Sequence, residues 1–129
     1  MKLEPIADYL EAELINLGYE TPLYIFHFPE TERSGILLLA NLIGAKVDPD
    51  IENYRKGRFQ AIVRATDYMQ GEILAYAIEN VLTMREKDLG SIKVKLCSPR
   101  HDPIAFQRSD GDVIEFSVNF NFVYILKGE

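Results

Sequence analysis

Ile114-Glu-Phe-Ser-Val-Asn-Phe-Asn-Phe-Val-Tyr124 decides the fold: Ile114, Phe116, Val118, Phe120, Phe122 and Tyr124 fall on one side of an extended chain, and Glu115, Ser117, Asn119 and Asn121 on the other. Alternation with a period of two over this length predicts a long, half-buried strand. Its length places it centrally in an antiparallel sheet. Upstream, Arg58 to Thr66 alternates in the same way, with Phe59, Ala61, Val63 and Ala65 facing one side and Arg58, Gln60, Arg64 and Thr66 the other.

Around these two strands the chain supplies helices and shorter strands. Ile6, Tyr9, Leu10, Leu14 and Leu17 recur at three- and four-residue spacing between Pro5 and Leu17, which predicts an amphipathic helix stopped by Gly18. Asp67, followed by Gln70, resembles the N-cap of a second helix whose apolar residues are Ile73, Leu74, Ala77, Ile78, Val81 and Leu82 and which ends near Arg85, Lys87 and Gly90. Leu23 to Phe28, bounded by Pro22 and Pro29, reads as a short strand. Ile92, Val94 and Leu96 alternate with Lys93 and Lys95, and Ile104 to Gln107 follows as another short strand.

The run Gly35 to Ile43 is nearly unbroken in apolar residues, including Leu38 and Leu42, so a strand there needs cover on both faces. A helix covers one. The other is covered either by a folded-back loop or by a second subunit. Together these elements predict an α+β domain over residues 1–129, with a mainly antiparallel sheet of four or five strands and two helices on one face.

Composition narrows the function. The chain has 129 residues, 47% of them hydrophobic, with 14 Lys+Arg against 20 Asp+Glu for a formal charge of −6. A dense basic stripe, the usual footprint of a nucleic-acid binder, is missing from the sequence. Cys97 is the only cysteine, which excludes an intrachain disulfide and fits a reducing compartment. The acidic start of the chain is unlike a signal peptide, and no apolar run approaches the ~18 residues a membrane helix needs.

Catalytic, metal and cofactor sites are not expected. His27, His101 and Cys97 lack the spacing of zinc ligands, and Cys97 with His101 lacks a third group to orient a nucleophilic pair. Asp48/Asp50 and Asp110/Asp112 bracket Pro49 and Gly111, which reads as turn chemistry and not as calcium binding. The glycines form no phosphate-cradling motif. Tyr54, Arg55, Lys56, Gly57 and Arg58, with Arg64 further on, form the one basic concentration, with three open readings: a solvated edge, a phosphate contact, or a patch meeting an acidic partner surface, where Tyr54, Lys56, Arg58, Gln60 and Arg64 are the candidate contact residues. The acidic loop at Glu30 and Glu32 is its natural counterpart in a head-to-tail contact between copies.

The strand-to-helix unit Gly57-Arg-Phe-Gln-Ala-Ile-Val-Arg-Ala-Thr-Asp-Tyr68, continuing through Gly71-Glu72 into Leu74-Ala75 and Ile78, resembles the tail terminator proteins of long-tailed bacteriophages. Pro103-Ile104, Asp110-Gly111-Asp112 and Phe116-Ser-Val-Asn-Phe120 extend the resemblance, while residues 29–53 depart from it. The resemblance implies a non-enzymatic virion protein of the tail or neck, assembled in the host bacterial cytoplasm. It implies a hexameric ring that caps the tail tube, stops its growth and offers a joining surface to the head connector. The implied partners are further copies of the chain, the tail tube protein and the connector or stopper protein. DNA would pass through without specific binding, along a channel that sheets tend to line and acidic residues tend to coat. A head-completion or connector-stopper protein is the alternative within that class. A small cytoplasmic enzyme or ligand-binding domain using His27, His101 or the Asp pairs is the alternative outside it.

Overall fold

In a computed structural model the protein is described at residues 3–29, 33–40, 44–107 and 113–127. In chain order the elements are α1 (Glu4–Asn16), β1 (Leu23–Ile25), β2 (Gly35–Ala40), β3 (Lys46–Val47), β4 (Tyr54–Ala65), α2 (Tyr68–Leu82), β5 (Met84–Leu89), β6 (Ile92–Pro99), β7 (Ile104–Gln107) and β8 (Ile114–Leu126). They form one eight-stranded sheet in the order β1-β2-β4-β8-β6-β5, with β3 also on β4 and β7 also on β8.

The frame is the antiparallel pair β4 and β8, in register from Tyr54↔Ile125 to Ala65↔Ile114. Opposed residues share a face, so Phe59, Ala61 and Val63 meet Phe120, Val118 and Phe116 on the buried side. Phe59 stacks on Phe120 at 5.0 Å and meets Phe122 edge-on at 5.3 Å. Both helices close over this side. Ile6, Leu10 and Leu14 of α1 and Leu74, Ala75, Ile78 and Leu82 of α2 enter the same core as the strand residues. The two helices on one face and the central final strand agree with the sequence reading.

The sheet itself is larger than expected, and mixed. Eight strands replace the four or five read from the sequence, and β1 runs parallel to β2. β3 is only two residues long, too short to leave a periodic signal. The helix predicted to reach Arg85 stops at Leu82, because Thr83 turns extended and Met84–Leu89 pairs with β6 through the Gly90 turn. β1 ends at Ile25, where Phe26 takes a left-handed backbone with φ of 68°. The alternation of β6 slips at Lys95: Val94 pairs with Tyr124 but Leu96 with Val123, so Leu96 faces away from the core and Cys97 into it.

Ile36, Leu37 and Leu38 are buried within this single chain, which answers how the apolar run is covered as far as residue 38. Asp67 caps α2 as predicted, its carboxylate accepting from Gln70 N at 3.2 Å.

Gly71 shows how tightly α2 sits on the sheet. A Cβ there would lie 2.5 Å from Cε1 of Phe116 and 3.0 Å from Cβ of Ala65. Phe116 is buried and Ala65 belongs to a central strand, so neither can withdraw easily. Gly71→Val is expected to destabilise the fold by about 3 kcal/mol through overpacking, despite the usual helix penalty of glycine, as read from a denaturant midpoint.

Candidate assembly surfaces

The face of the sheet away from the helices carries the other half of each alternation. From β4 it shows Lys56, Arg58, Gln60, Ile62 and Arg64, opposite Val123, Asn121, Asn119, Ser117 and Glu115 of β8. Its centre is a polar strip. Ser117 Oγ accepts from Gln60 Nε2 at 3.2 Å and from Asn119 Nδ2 at 3.0 Å, and Asn119 Nδ2 lies 3.4 Å from His101 Nε2. His101 Nδ1 sits 2.8 Å from the carbonyl oxygen of Asp102.

The residues that the sequence groups together part company here. Arg58 is exposed, Gln60 and Tyr54 are half-buried, and Lys56 lies over the Tyr54 ring at 5.9 Å. Arg64 is already engaged: its Nε donates to Glu115 Oε2 at 3.0 Å, and its guanidinium stacks 4.0 Å above the ring of the buried Phe28. The side chains of Arg64 and Glu115 are only 11% and 12% exposed, so this pair belongs to the fold and is not a free contact surface. Arg64→Glu should therefore cost about 2–3 kcal/mol in stability, by leaving a second carboxylate beside Glu115 in a poorly hydrated place. Arg58→Glu should cost less than about 0.5 kcal/mol. Thermal melts of the two variants check the contrast. Leu38 is likewise a core residue, fully buried and aligned with Ala61, and cannot offer an interface. Glu30, Glu32 and Leu42 lie outside the described residues.

The outward side of α2 shows a feature the sequence reading passes over. Met69, Ile73 and Tyr76, spaced by four and three residues, form a stripe on its exposed side and are 69%, 54% and 42% exposed. Ile73, read from the sequence as part of the core face, is on this outer stripe; the core takes Leu74, Ala75, Ile78 and Leu82. The period of Met69, Ile73 and Tyr76 is visible in the sequence, but a helix apolar on two sides looks like one with a single wide face. Acids surround the stripe: Asp67, Glu72 and Glu79 on or beside α2, and Asp102 beyond. Their field is felt locally, because Asp102 first, then burial, then Glu72 and Glu79 push the Tyr76 hydroxyl above its usual range. Burial first and Asp102 second raise the Glu79 carboxyl in the same way, with His101 opposing.

At the other end of the β4–β8 ribbon a second apolar patch is exposed. Val47 and Ile51 are 64% and 51% exposed, beside Lys46, Arg55 and Lys56. Asp48 there is occupied within its own turn, its Oδ1 accepting from Asp50 N at 2.8 Å and Ile51 N at 2.9 Å, which holds its carboxyl below the usual value. This is the turn role read from the sequence. Asp110 and Asp112 lie outside the described residues.

The residue types capable of chemistry are dispersed. Cys97 is buried opposite Phe122, and burial pushes its thiol up to about 12, so it is inert as a nucleophile at neutral pH. His27 and His101 are exposed. Among the described residues no three His, Cys, Asp or Glu side chains are grouped to hold a metal ion, and no helix is long and apolar enough to cross a membrane.

Charge is sorted by layer. The helices carry Glu4, Asp8, Glu11, Glu13, Glu72 and Glu79 and no Lys or Arg, whereas the strands hold most of the cations. An acidic helix layer on a basic sheet suits a protein whose two sides meet different surfaces.

Known proteins agree with this description. A chain titled "Virion of native gene transfer agent (GTA) particle" superposes with a TM-score of 0.69 at 13% identity, covering 95% of this chain and 94% of its own. A second solved chain gives a TM-score of 0.53 at 15% identity, covering 100% of this chain and 98% of its own. At such identities the likeness is one of fold. No curated protein matches the chain. The family model for the bacteriophage tail terminator protein matches residues 7–125, from α1 to the end of β8, and the chain belongs to that family of phage tail structural proteins.

Proposed function

We propose that this chain closes the end of a tail tube as a ring of identical subunits, hexameric by the family resemblance, which stops tube growth and presents a joining surface to the head connector. The observation that carries the reading is a pair among the exposed apolar patches: Met69, Ile73 and Tyr76 among acids, on the helix that starts at the Ala65 end of β4, and Val47 and Ile51 beside cations at the Tyr54 end. Twelve residues of strand separate the two ends by roughly 36 Å, so a single copy cannot cover one with the other. Patches that differ in charge and in the residues they present make a heterologous contact, and such contacts build rings when their rotation closes.

The two patches supply different parts of the association. Burying Met69 and Ile73 against Val47 and Ile51 gives the free energy, while the acids and cations set orientation and speed encounter. The core of each subunit is complete without a neighbour, so folding precedes assembly. The tail tube protein, the connector protein and copies of this chain are its partners in this reading, and the virion tail or neck is its location. Light scattering across a concentration series, with electron microscopy of the protein mixed with tail tubes, tests it. Closed rings in solution or on tube ends are expected. A monomer at every concentration that also leaves tube ends bare would contradict the proposal.

A further inference from the structure

The helix-free face of the sheet holds a shallow groove of about 370 Å³ lined by Arg58, Gln60, Asn119 and Arg100, with Leu39 among its apolar lining. Arg58 projects from β4 opposite Asn121, and Arg100 follows β6, its backbone N donating to Asn119 O at 2.8 Å. Both side chains are on exposed residues, and neither guanidinium has a carboxylate partner among the described residues. Glu115, the one acid on this face of β4 and β8, is neutralised by Arg64. The remaining polar groups along the strip, Ser117, Asn119 and Asn121, are neutral donors and acceptors.

We infer that this groove makes sequence-independent contact with the phosphates of duplex DNA. Two unpaired guanidiniums over neutral amides suit phosphate oxygens, which accept paired N–H donors. The strip is open and extended, without the enclosed, convergent donors that would hold a free phosphate ion. An open strip suits a polymer of phosphates, and contacts from guanidiniums to phosphates carry no sequence information. The acidic helix layer on the opposite side repels the same ligand, so one side of the subunit turns toward DNA and the other away. This departs from the acidic channel wall that the family resemblance implies. The contact is a property of the groove in each copy; ring closure would only bring several grooves onto one duplex.

The test is fluorescence anisotropy with a labelled mixed-sequence duplex, the mass of each protein sample being measured alongside. Two phosphate contacts per subunit give a log–log salt slope of about −1.8, or about a twelvefold loss of affinity between roughly 50 and 200 mM salt. Arg58→Ala with Arg100→Ala is expected to lose at least about tenfold at the lower salt and most of the slope. Arg85→Ala with Lys87→Ala, a change of equal charge on the edge strand β5, should lose less than about twofold by the same reasoning. Binding that both double variants lose equally, or no duplex binding by the wild type at the lower salt, overturns the inference. Loss of rings in the Arg58/Arg100 variant with duplex binding intact would also overturn it, and would give the groove to an acidic protein surface. Duplex binding by a wild-type sample that stays monomeric would keep this inference while removing the ring. Rings that ignore the duplex would do the reverse.

Discussion

Replacing Met69 and Ile73 together by glutamine is expected to leave the fold intact and abolish self-association. Both side chains are exposed in the single chain, and glutamine is a good helix former, so the thermal midpoint should stay within a few degrees of wild type. In the assembly the same two side chains would each lose about 1.5–3 kcal/mol of burial. Association should therefore weaken by at least about 100-fold, since every 1.4 kcal/mol is about a factor of ten. Sedimentation of the variant beside wild type reads the effect. A variant that associates like wild type would show that the α2 stripe is only exposed surface.

Phe120→Ala is expected to have the largest effect on folding, about 4 kcal/mol. Phe120 is fully buried and opposes Phe59 in the β4–β8 ladder, where the rings stack at 5.0 Å. Phe59 in turn meets Phe122, and Phe122 stacks on Tyr124 at 4.6 Å, so the alanine opens a gap inside a connected aromatic row. Against a total stability of about 5–15 kcal/mol, such a loss should lower the thermal midpoint by roughly 15 °C. A shift of only a few degrees would mean that the core can collapse around the missing ring, and that the row is not the keel of the sheet.

These residues also show why some of the architecture was legible and some was not. β8 declares itself because one face is apolar and the other polar over its whole length, and α2 declares its start because an aspartate carboxylate has one obvious use ahead of an apolar helix. β5 gives no such signal: Met84-Arg-Glu-Lys-Asp-Leu89 is an exposed edge strand whose pairing comes from β6, so its charges read as the end of the preceding helix. The parallel pairing of β1 depends on where the chain returns after Phe26, which no local pattern encodes.

The candidate surfaces divide along the same line. Arg58 and Arg64 are indistinguishable as sequence, both outward-facing arginines on one strand. Only the fold brings Phe28 and Glu115 to Arg64 and turns it into a structural residue. Arg100 joins Arg58 across the sheet from a loop more than forty residues away in the chain, a neighbourhood that only tertiary structure creates. The α2 stripe was present in the sequence as spacing, but its exposure depends on how far the helix is rotated on the sheet, which Gly71 fixes by its contact with Phe116.

The most direct measurement is disulfide trapping between copies carrying Ile73→Cys and copies carrying Val47→Cys. The natural Cys97 is buried with its thiol pushed up to about 12, so it stays silent under mild oxidation. Mixing the two single variants should give a cross-linked dimer that neither gives alone, and a chain carrying both cysteines should give a ladder ending at the closed ring. Cross-linking of Ile73→Cys to itself, or intact rings with no bond between the two positions, would contradict the head-to-tail contact.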